Sequence, residues 1–356
     1  MEISTPGRIC LFGEHQDYLG LPVISMAISL RVSLYGKKRR DRKIVIHKPD
    51  LRETETFSLD NLEYTHNRDY FKSGIIICQR EGLSFANGFE CTIKSQIPTQ
   101  AGTSSSSAIV VSWINFLAQS ADIPPKWSKE KMGELAYLAE SVEFRESGGI
   151  MDQYTTAFGG LLYIKPEPSA SLQKIDTKLG NFVLGDSCEP KNTLYILKKC
   201  KDSRLKIFDK ILSYIPSFNL HTTGSEIPLS YLNDQEQNLF NATIKNRDLL
   251  EKGLIELRKE KIDHRHFGEL LNQGHQILRD KLKISTNKID SMLSAALDAG
   301  AYGGKINGSG GGGCMFAYTP KNSEAVASAI ESVGGRAYII GKDEGTKILF
   351  KQRKNA

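Results

Sequence analysis

The chain has 356 residues, of which 40% are hydrophobic and 25% are charged. This balance is typical of a globular protein and excludes a disordered chain, and the length is sufficient for two domains. The net charge of +6 is modest for this length and does not by itself indicate a protein that binds nucleic acid.

The cysteine pattern and the hydropathy of the sequence predict the cellular compartment of the protein. The six cysteines form no Cys-x-x-Cys pair, which argues against a zinc site or a disulfide framework and favours a reducing compartment. The N-terminus has no basic segment followed by an apolar run, and no apolar stretch approaches the length of a membrane span. We therefore expect a cytoplasmic protein with no membrane partner.

In the first half of the chain, alternating apolar and β-branched residues predict strands over residues 23–35, 43–47 and 89–97. Segment 108–118 is apolar on nearly every side and predicts a buried helix. Residues 129–146 predict an amphipathic helix, whose apolar stripe would be Met132, Leu135, Leu138, Ala139 and Val142.

Basic residues are concentrated in residues 37–43, between the first two predicted strands. Such a run could bind nucleic acid, but it is also typical of a solvated turn. We favour the turn and expect no nucleic-acid partner.

The second half begins with a polar, helix-forming stretch over residues 198–280. Residues 286–300 then predict a helix that ends at Gly300. Strands are predicted over 314–318 and 337–340, with a helix between them.

The change of character near residue 185 suggests a domain boundary. It divides the chain into residues 1–185 and residues 186–356. The mixed order of strands and helices predicts an α+β fold rather than a doubly wound sheet.

Residues 6–18, PGRICLFGEHQDY, concentrate polar side chains directly after the apolar strand Ile9–Phe12. Carboxylates and imidazoles can hydrogen-bond to several hydroxyl groups at once, so such a cluster suits a sugar. A surface turn is the alternative. A metal site at His15 and Asp17 would lack a third ligand.

Residues 97–108, IPTQAGTSSSSA, place small residues between a strand and the buried helix. The free N–H groups at the positive end of a helix bind phosphate, and serine hydroxyls can ligate a Mg²⁺ ion that bridges phosphates. A serine-rich N-cap without a ligand is the alternative. The chain has no Gly-x-x-x-x-Gly-Lys-[Ser/Thr] motif, so it is not a P-loop kinase.

Two further segments are rich in glycine. Within residues 303–318, positions 308–313 fit Gly-x-Gly-x-x-Gly formally. This run leads into a strand, whereas a dinucleotide fingerprint opens a helix. It predicts a loop that closes tightly on another loop or on a ligand. Residues 148–160 contain a lone Asp152 among apolar residues, which is a candidate general base or a helix cap.

Taken together and in this order, the four segments resemble the GHMP kinases, and galactokinases in particular. Residues 6–18 resemble the galactokinase signature, and residues 98–108 resemble the family's phosphate-binding loop. Met151-Asp152-Gln153 matches the segment with the catalytic aspartate, and residues 308–314 match the third motif.

The resemblance implies a two-domain α+β GHMP kinase fold, with an N-terminal domain like domain 2 of ribosomal protein S5 and a ferredoxin-like C-terminal domain. The active site would lie between them. The implied reaction is phosphorylation of a monosaccharide by ATP with Mg²⁺, at the anomeric hydroxyl, to give a sugar 1-phosphate. We expect a small-molecule sugar as the only partner of a monomer or weak dimer.

The resemblance also implies a role for individual residues. Asp152 would take or orient the proton of the attacking hydroxyl, and Arg8 would steady the charge beside it. The substrate-binding residues would be Glu14, His15, Asp17 and Gly149. The nucleotide-binding residues would be Gly102, Ser104, Ser105, Ser106 and Ser107. Ser106 and Glu140 would hold Mg²⁺, with Glu143 as the alternative to Glu140.

Some features depart from the galactokinase pattern. Gln100 and Thr103 stand where the phosphate loop usually has Gly and Leu, which leaves the nucleotide preference open. The Ala-Phe-Gly-Gly after Asp152 is similar to that of GHMP heptose kinases, so galactose, a uronic acid or a heptose remain possible sugars. A sugar sensor that keeps the fold without catalysis is a further alternative.

Overall fold

The computed structural model describes residues 1–99, 101–167 and 170–350. The strands are β1 (Glu2–Phe12), β2 (Val23–Lys38), β3 (Lys43–Lys48), β4 (Glu53–Ser58), β5 (Phe89–Ser95), β6 (Leu161–Lys165), β7 (Ser171–Lys174), β8 (Phe182–Asp186), β9 (Gly303–Ile306), β10 (Cys314–Tyr318), β11 (Arg336–Ile340) and β12 (Lys347–Leu349). The helices are α1 (Tyr70–Arg80), α2 (Ser105–Ser120), α3 (Lys129–Tyr137), α4 (Met151–Phe158), α5 (Thr193–Tyr214), α6 (Asp234–Leu257), α7 (His264–Gln276), α8 (Asn287–Asp298) and α9 (Ser323–Ser332).

Eight strands form the first sheet, in the order β12-β1-β2-β5-β3-β4, with β6 beside β2 and β7 beside β6. The pairs are antiparallel except for β3 and β5. Helix α2 contributes Trp113 and Phe116 to the core of this sheet, where their rings stack at 5.6 Å and Phe116 meets Phe89 edge-on. The predicted burial of this helix is confirmed.

The second sheet has four antiparallel strands in the order β11-β8-β10-β9. Along the chain these elements run strand, helices, strand, strand, helix, strand, which is the ferredoxin-like order. The two-domain α+β architecture that the sequence predicts is confirmed. Among the described residues, no helix combines the length and apolar character needed to cross a bilayer.

The predicted domain boundary at residue 185 stays a prediction. In the structure, position 185 falls within β8, which already belongs to the second sheet. The last strand, β12, returns to pair with β1 in the first sheet. Each sheet therefore includes a strand from the part of the chain that mainly forms the other sheet.

The basic run, for which the sequence predicts a solvated turn, spans the end of β2, the turn after it and the start of β3. Arg39 pairs with Asp41 at 2.7 Å and Arg42 pairs with Asp60 at 2.6 Å. Both ion pairs are partly exposed, and each neutralises one charge of the run locally.

The helix predicted over residues 129–146 is too long. Helix α3 ends at Tyr137, and residues 138–142 form a π-helical turn that is followed by a loop. A π-turn fits more residues into each turn, which rotates the side chains that follow. As a result Val142, predicted in the apolar stripe, is 48% exposed, whereas Glu140 is buried.

Candidate active site

A cavity of about 310 Å³ lies between the two parts of the chain. It is lined by β1 and the loop after it, the segment before α1, the loop before α2 and the π-helical turn. The loop before α4, the segment around the start of α5 and the loop between β9 and β10 complete the lining. All the site residues predicted from the sequence line it: Arg8, Glu14, His15, Asp17, Gly102, Ser104, Ser105, Ser106, Ser107, Glu140, Gly149 and Asp152.

Arg8 and Asp152 form a two-bond ion pair in this cavity. The register of β1 against β2 is interrupted after Pro6 and after Cys10, and such irregularities redirect side chains. Nε and Nη2 of Arg8 donate to the two carboxylate oxygens of Asp152 at 2.7 and 2.9 Å. Burial opposes the charge of Arg8, but the carboxylates of Asp152 and Glu14 outweigh it and raise the pKa of Arg8.

The loop before α2 is held by both β1 and the third motif. Nη1 of Arg8 donates to the Gly102 carbonyl at 2.5 Å, and the Asn307 amide donates to the same oxygen at 2.8 Å. A Cβ at Gly308 would lie 2.6 Å from that oxygen, so only glycine allows this approach. The predicted close packing of the third motif on another loop is confirmed. Thr103 is fully buried in this loop, while Gln100 lies outside the described residues.

The N-terminus of α2 faces the cavity. Ser104 precedes the helix in a left-handed conformation, with φ of +62°. The first N–H groups of a helix have no partners within it, and they attract an anion together with the helix dipole. The buried hydroxyls of Thr103 and Ser104 have no hydrogen-bond partner among the described residues. This end of the cavity suits phosphate.

Glu140 provides a site that suits a divalent cation. It is 5% exposed, and burial raises its pKa, while the nearby hydroxyls of Ser106 and Ser107 and the Gln153 amide favour its charged form. Gln153 donates to Glu140 Oε2 at 2.7 Å, and its own Oε1 is buried with no hydrogen-bond partner in the described part of the chain. Oxygen ligands of this kind fit Mg²⁺. Glu143, by contrast, is paired with Arg80 at 2.7 Å and does not line the cavity.

Glu14 is held by a lysine from the other part of the chain. Lys305, on β9, places its Nζ 2.8 Å from Glu14 Oε2 and 2.8 Å from the Cys10 carbonyl. Each side chain of this ion pair is almost fully buried. The pair fixes the segment after β1 against the second sheet.

Asp17 and Gly149 fit against each other. A Cβ at Gly149 would lie 2.0 Å from Asp17 Oδ2, and the Met151 N–H donates to that oxygen at 3.3 Å. Burial, followed by the negative charge of Asp152, raises the pKa of Asp17 to about 6. Gly149 therefore acts by leaving room for the Asp17 carboxylate.

Both ring nitrogens of His15 form hydrogen bonds with other groups of the protein. Nδ1 lies 2.7 Å from the Tyr18 hydroxyl, and Nε2 lies 3.1 Å from the Ser309 carbonyl. Burial, followed by the charge of Arg204, lowers the pKa of His15 to about 3, so the imidazole is neutral. Arg204 in turn donates to the Tyr18 hydroxyl. To bind a sugar hydroxyl, His15 would have to exchange one of these partners.

Three charged residues of the cavity lining were not predicted from the sequence. Lys191, just before α5, has a buried Nζ without a partner among the described residues, and burial lowers its pKa to about 8. A Cβ at Gly102 would lie 2.6 Å from this nitrogen, so the ammonium adjoins the phosphate end. Arg68 and Glu146 pair with each other at the cavity wall. A single charged residue in a loop gives no sequence pattern by which to find it.

Three family patterns match the chain. GHMP kinases N terminal domain matches residues 69–160, GHMP kinases C terminal matches residues 251–338, and the galactokinase galactose-binding signature matches residues 2–38.

Among the curated relatives are a mevalonate kinase and a galactokinase. The mevalonate kinase of Thermococcus sibiricus is 30% identical over 343 residues and covers 93% of each chain. The galactokinase of Thermococcus kodakarensis is 26% identical over 332 residues and covers 89% of each chain.

Solved structures support the fold. Lactococcus lactis galactokinase complexed with galactose has a TM-score of 0.85 at 21% identity, covering 98% of this chain and 95% of that one. The mevalonate kinase of Methanococcus jannaschii has a TM-score of 0.73 at 20% identity, covering 97% and 98%.

Proposed function

The chain belongs to the GHMP kinases, and from this we propose that it transfers the γ-phosphoryl group of ATP to the anomeric hydroxyl of a monosaccharide. The observation that carries the proposal is the Arg8–Asp152 ion pair in a cavity that also contains the free N-terminus of α2. One end of that cavity suits phosphate and the other is rich in hydrogen-bonding groups.

Asp152 is the group that handles the acceptor proton in this proposal. The acceptor oxygen attacks the γ-phosphorus, the bond to the β,γ-bridging oxygen breaks, and ADP leaves. The hydroxyl proton passes to Asp152, whose side chain is 28% exposed and can return it to water. Arg8 holds the carboxylate through two bonds, so the acceptor oxygen meets a fixed geometry.

Charge neutralisation at the phosphate end falls to the N-terminus of α2 and to cations. Phosphoryl transfer passes through a loose transition state, so positioning and electrostatics supply most of the catalysis. Mg²⁺, held by Ser106 and Glu140 when bound, would neutralise part of the phosphate charge. Arg8 and Lys191 lie beside Gly102 and add positive charge there.

A sugar acceptor is supported by the galactose-binding signature over residues 2–38. Within that signature, Glu14 and Asp17 are buried carboxylates that line the cavity. Carboxylates accept hydrogen bonds from several hydroxyls, which suits a polyol.

A hydroxy acid such as mevalonate is the second candidate acceptor. The archaeal mevalonate kinases reach 30% identity, above the 26% of the galactokinase of Thermococcus kodakarensis. Lys191 also offers a buried ammonium group without a partner among the described residues, and a carboxylate of the acceptor would neutralise it.

The test is ADP release with Mg-ATP across neutral sugars, a heptose, a uronic acid and mevalonate, with acceptor-free protein as the control. ADP release on a neutral sugar that depends on acceptor concentration supports the sugar kinase. Turnover on mevalonate alone would favour the second candidate. Binding of a sugar without any turnover would indicate a sensor.

A further inference from the structure

Arg68 and Glu146 form an ion pair on the wall of the same cavity, outside all four sequence motifs. Nε and Nη2 of Arg68 donate to the two carboxylate oxygens of Glu146 at 2.5 and 2.6 Å. A guanidinium group has five N–H donors, and within the described ranges the three others of Arg68 have no partner, so they remain for another ligand. The side chain of Arg68 is 34% exposed, which leaves the group accessible from the cavity.

The backbone on both sides of this pair is in unusual conformations. Arg68 has φ of +64°, and Arg145, directly before Glu146, has φ of +53°. The π-helical turn with Glu140 ends three residues before Arg145. Left-handed non-glycine residues and π-turns cost free energy and are found where a site requires a particular geometry.

Arg68 lies near the end of the cavity that suits phosphate. Glu140 is close enough for its charge to act on Arg68, and Glu140 itself adjoins Ser106 and Ser107 at the start of α2. A planar guanidinium with free donors matches the oxygens of a phosphate chain.

We propose that Arg68 is a nucleotide-binding residue whose free N–H groups donate to phosphate oxygens of ATP and ADP, while Glu146 holds its guanidinium in place. This inference rests on the proposed kinase function and adds to it a phosphate ligand that comes from the segment before α1. The positive charge would then reach the phosphates from a side that neither Arg8 nor α2 occupies.

A purely structural brace between two segments is the competing interpretation, and the chain contains a matched control for it. Arg80, on α1, pairs with Glu143, which follows the same π-turn, at 2.7 and 3.2 Å. That pair joins the same two regions of the chain but does not line the cavity. If bracing is the only role, losing either arginine should have similar consequences.

The experiment compares Arg68→Met with Arg80→Met by titrating Mg-ADP and, separately, adenosine into each protein. Lost hydrogen bonds to a charged group should weaken ADP binding to Arg68→Met by about tenfold or more, with little change for adenosine. Arg80→Met should bind both like the unmodified protein. Arg68→Lys, which keeps the charge, should recover part of the ADP affinity and serves if the Met variant fails to fold.

Equal ADP binding by Arg68→Met and the unmodified protein would overturn the inference and leave the kinase function intact. An equal loss of ADP and adenosine binding would also overturn it, because it would indicate a displaced site rather than a lost phosphate contact. An unmodified protein that binds no Mg-ADP at all would overturn the proposed function, and this inference with it.

Discussion

Folding buries the carboxylate of Asp17, so its charged form costs free energy in the folded protein. Its pKa in the folded protein is about 6, above the ordinary value of 3.8, because of burial and the nearby Asp152. A raised pKa in the folded state favours folding below about pH 4, and that contribution is lost as the pH rises through 6.

Replacing Asp17 with Asn should therefore stabilise the fold at pH 7. Two pKa units correspond to about 3 kcal/mol at most, so we expect a gain in the free energy of unfolding on the order of 1–3 kcal/mol. Urea unfolding at several pH values measures it, and the gain should shrink towards zero near pH 4. The same variant should bind the acceptor more weakly, and a loss of stability at pH 7 would contradict this account.

At the scale of single residues, the sequence pointed to residues that line one cavity where they belong to a contiguous pattern, and their roles stay predictions. Arg8, Glu14, Asp17 and Asp152 lie in motifs and reach the cavity as expected. Lys191, Arg68 and Glu146 could not be found in this way, because each is a lone charged residue that only the tertiary structure brings to the cavity.

The loop before α4 contains two adjacent glycines with different surroundings. A Cβ at Gly149 would lie 2.0 Å from Asp17 Oδ2, whereas one at Gly148 would lie 3.6 Å from the Ser141 hydroxyl, an ordinary contact. Substitution of Gly149 therefore tests the contact with Asp17, and the same substitution at Gly148 is its control.

Gly149→Ala should displace the Asp17 carboxylate and raise the KM for the acceptor by about tenfold or more, since small displacements of positioning groups are costly. Gly148→Ala should change KM by less than about twofold. Steady-state kinetics with the acceptor varied measures both. Similar values for the two variants would show that Asp17 does not position the acceptor.

At the scale of elements, the sequence patterns predicted six of the twelve strands in the described part of the chain and the buried helix α2. It failed at the end of α3, because a π-turn depends on which side chains the fold brings inward rather than on local periodicity. The turn buries Glu140 and exposes Val142, the opposite of what a regular helix would favour for this pair.

The buried Glu14–Lys305 pair joins the two parts of the molecule, and both side chains are almost fully buried. Removing one member of such a pair leaves a buried charge without compensation and typically costs about 3–5 kcal/mol. Lys305→Met should therefore lower the free energy of unfolding by roughly that amount, as measured by denaturant titration.

The double variant Glu14→Gln with Lys305→Met is the control, because it removes both charges. It should regain a large part of the stability that the single variant loses. If the single variant were as stable as the unmodified protein, the pair would not hold the two parts together.

The whole architecture was predicted through the resemblance of four ordered motifs, not through periodicity alone. Local patterns indicate an α+β protein, but they do not specify that β12 returns to β1 or that β8 lies between β10 and β11. Those pairings join residues that are far apart in the chain and depend on the packing of the complete fold.

The central claim is that Asp152 handles the acceptor proton in a phosphoryl transfer. The most direct measurement is single-turnover ADP formation by Asp152→Asn and the unmodified protein, on the acceptor that the panel identifies. A loss of about 10²–10⁴-fold in rate, with Mg-ATP binding nearly unchanged, is the expected result. A variant that turns over within a few-fold of the unmodified protein would contradict the claim.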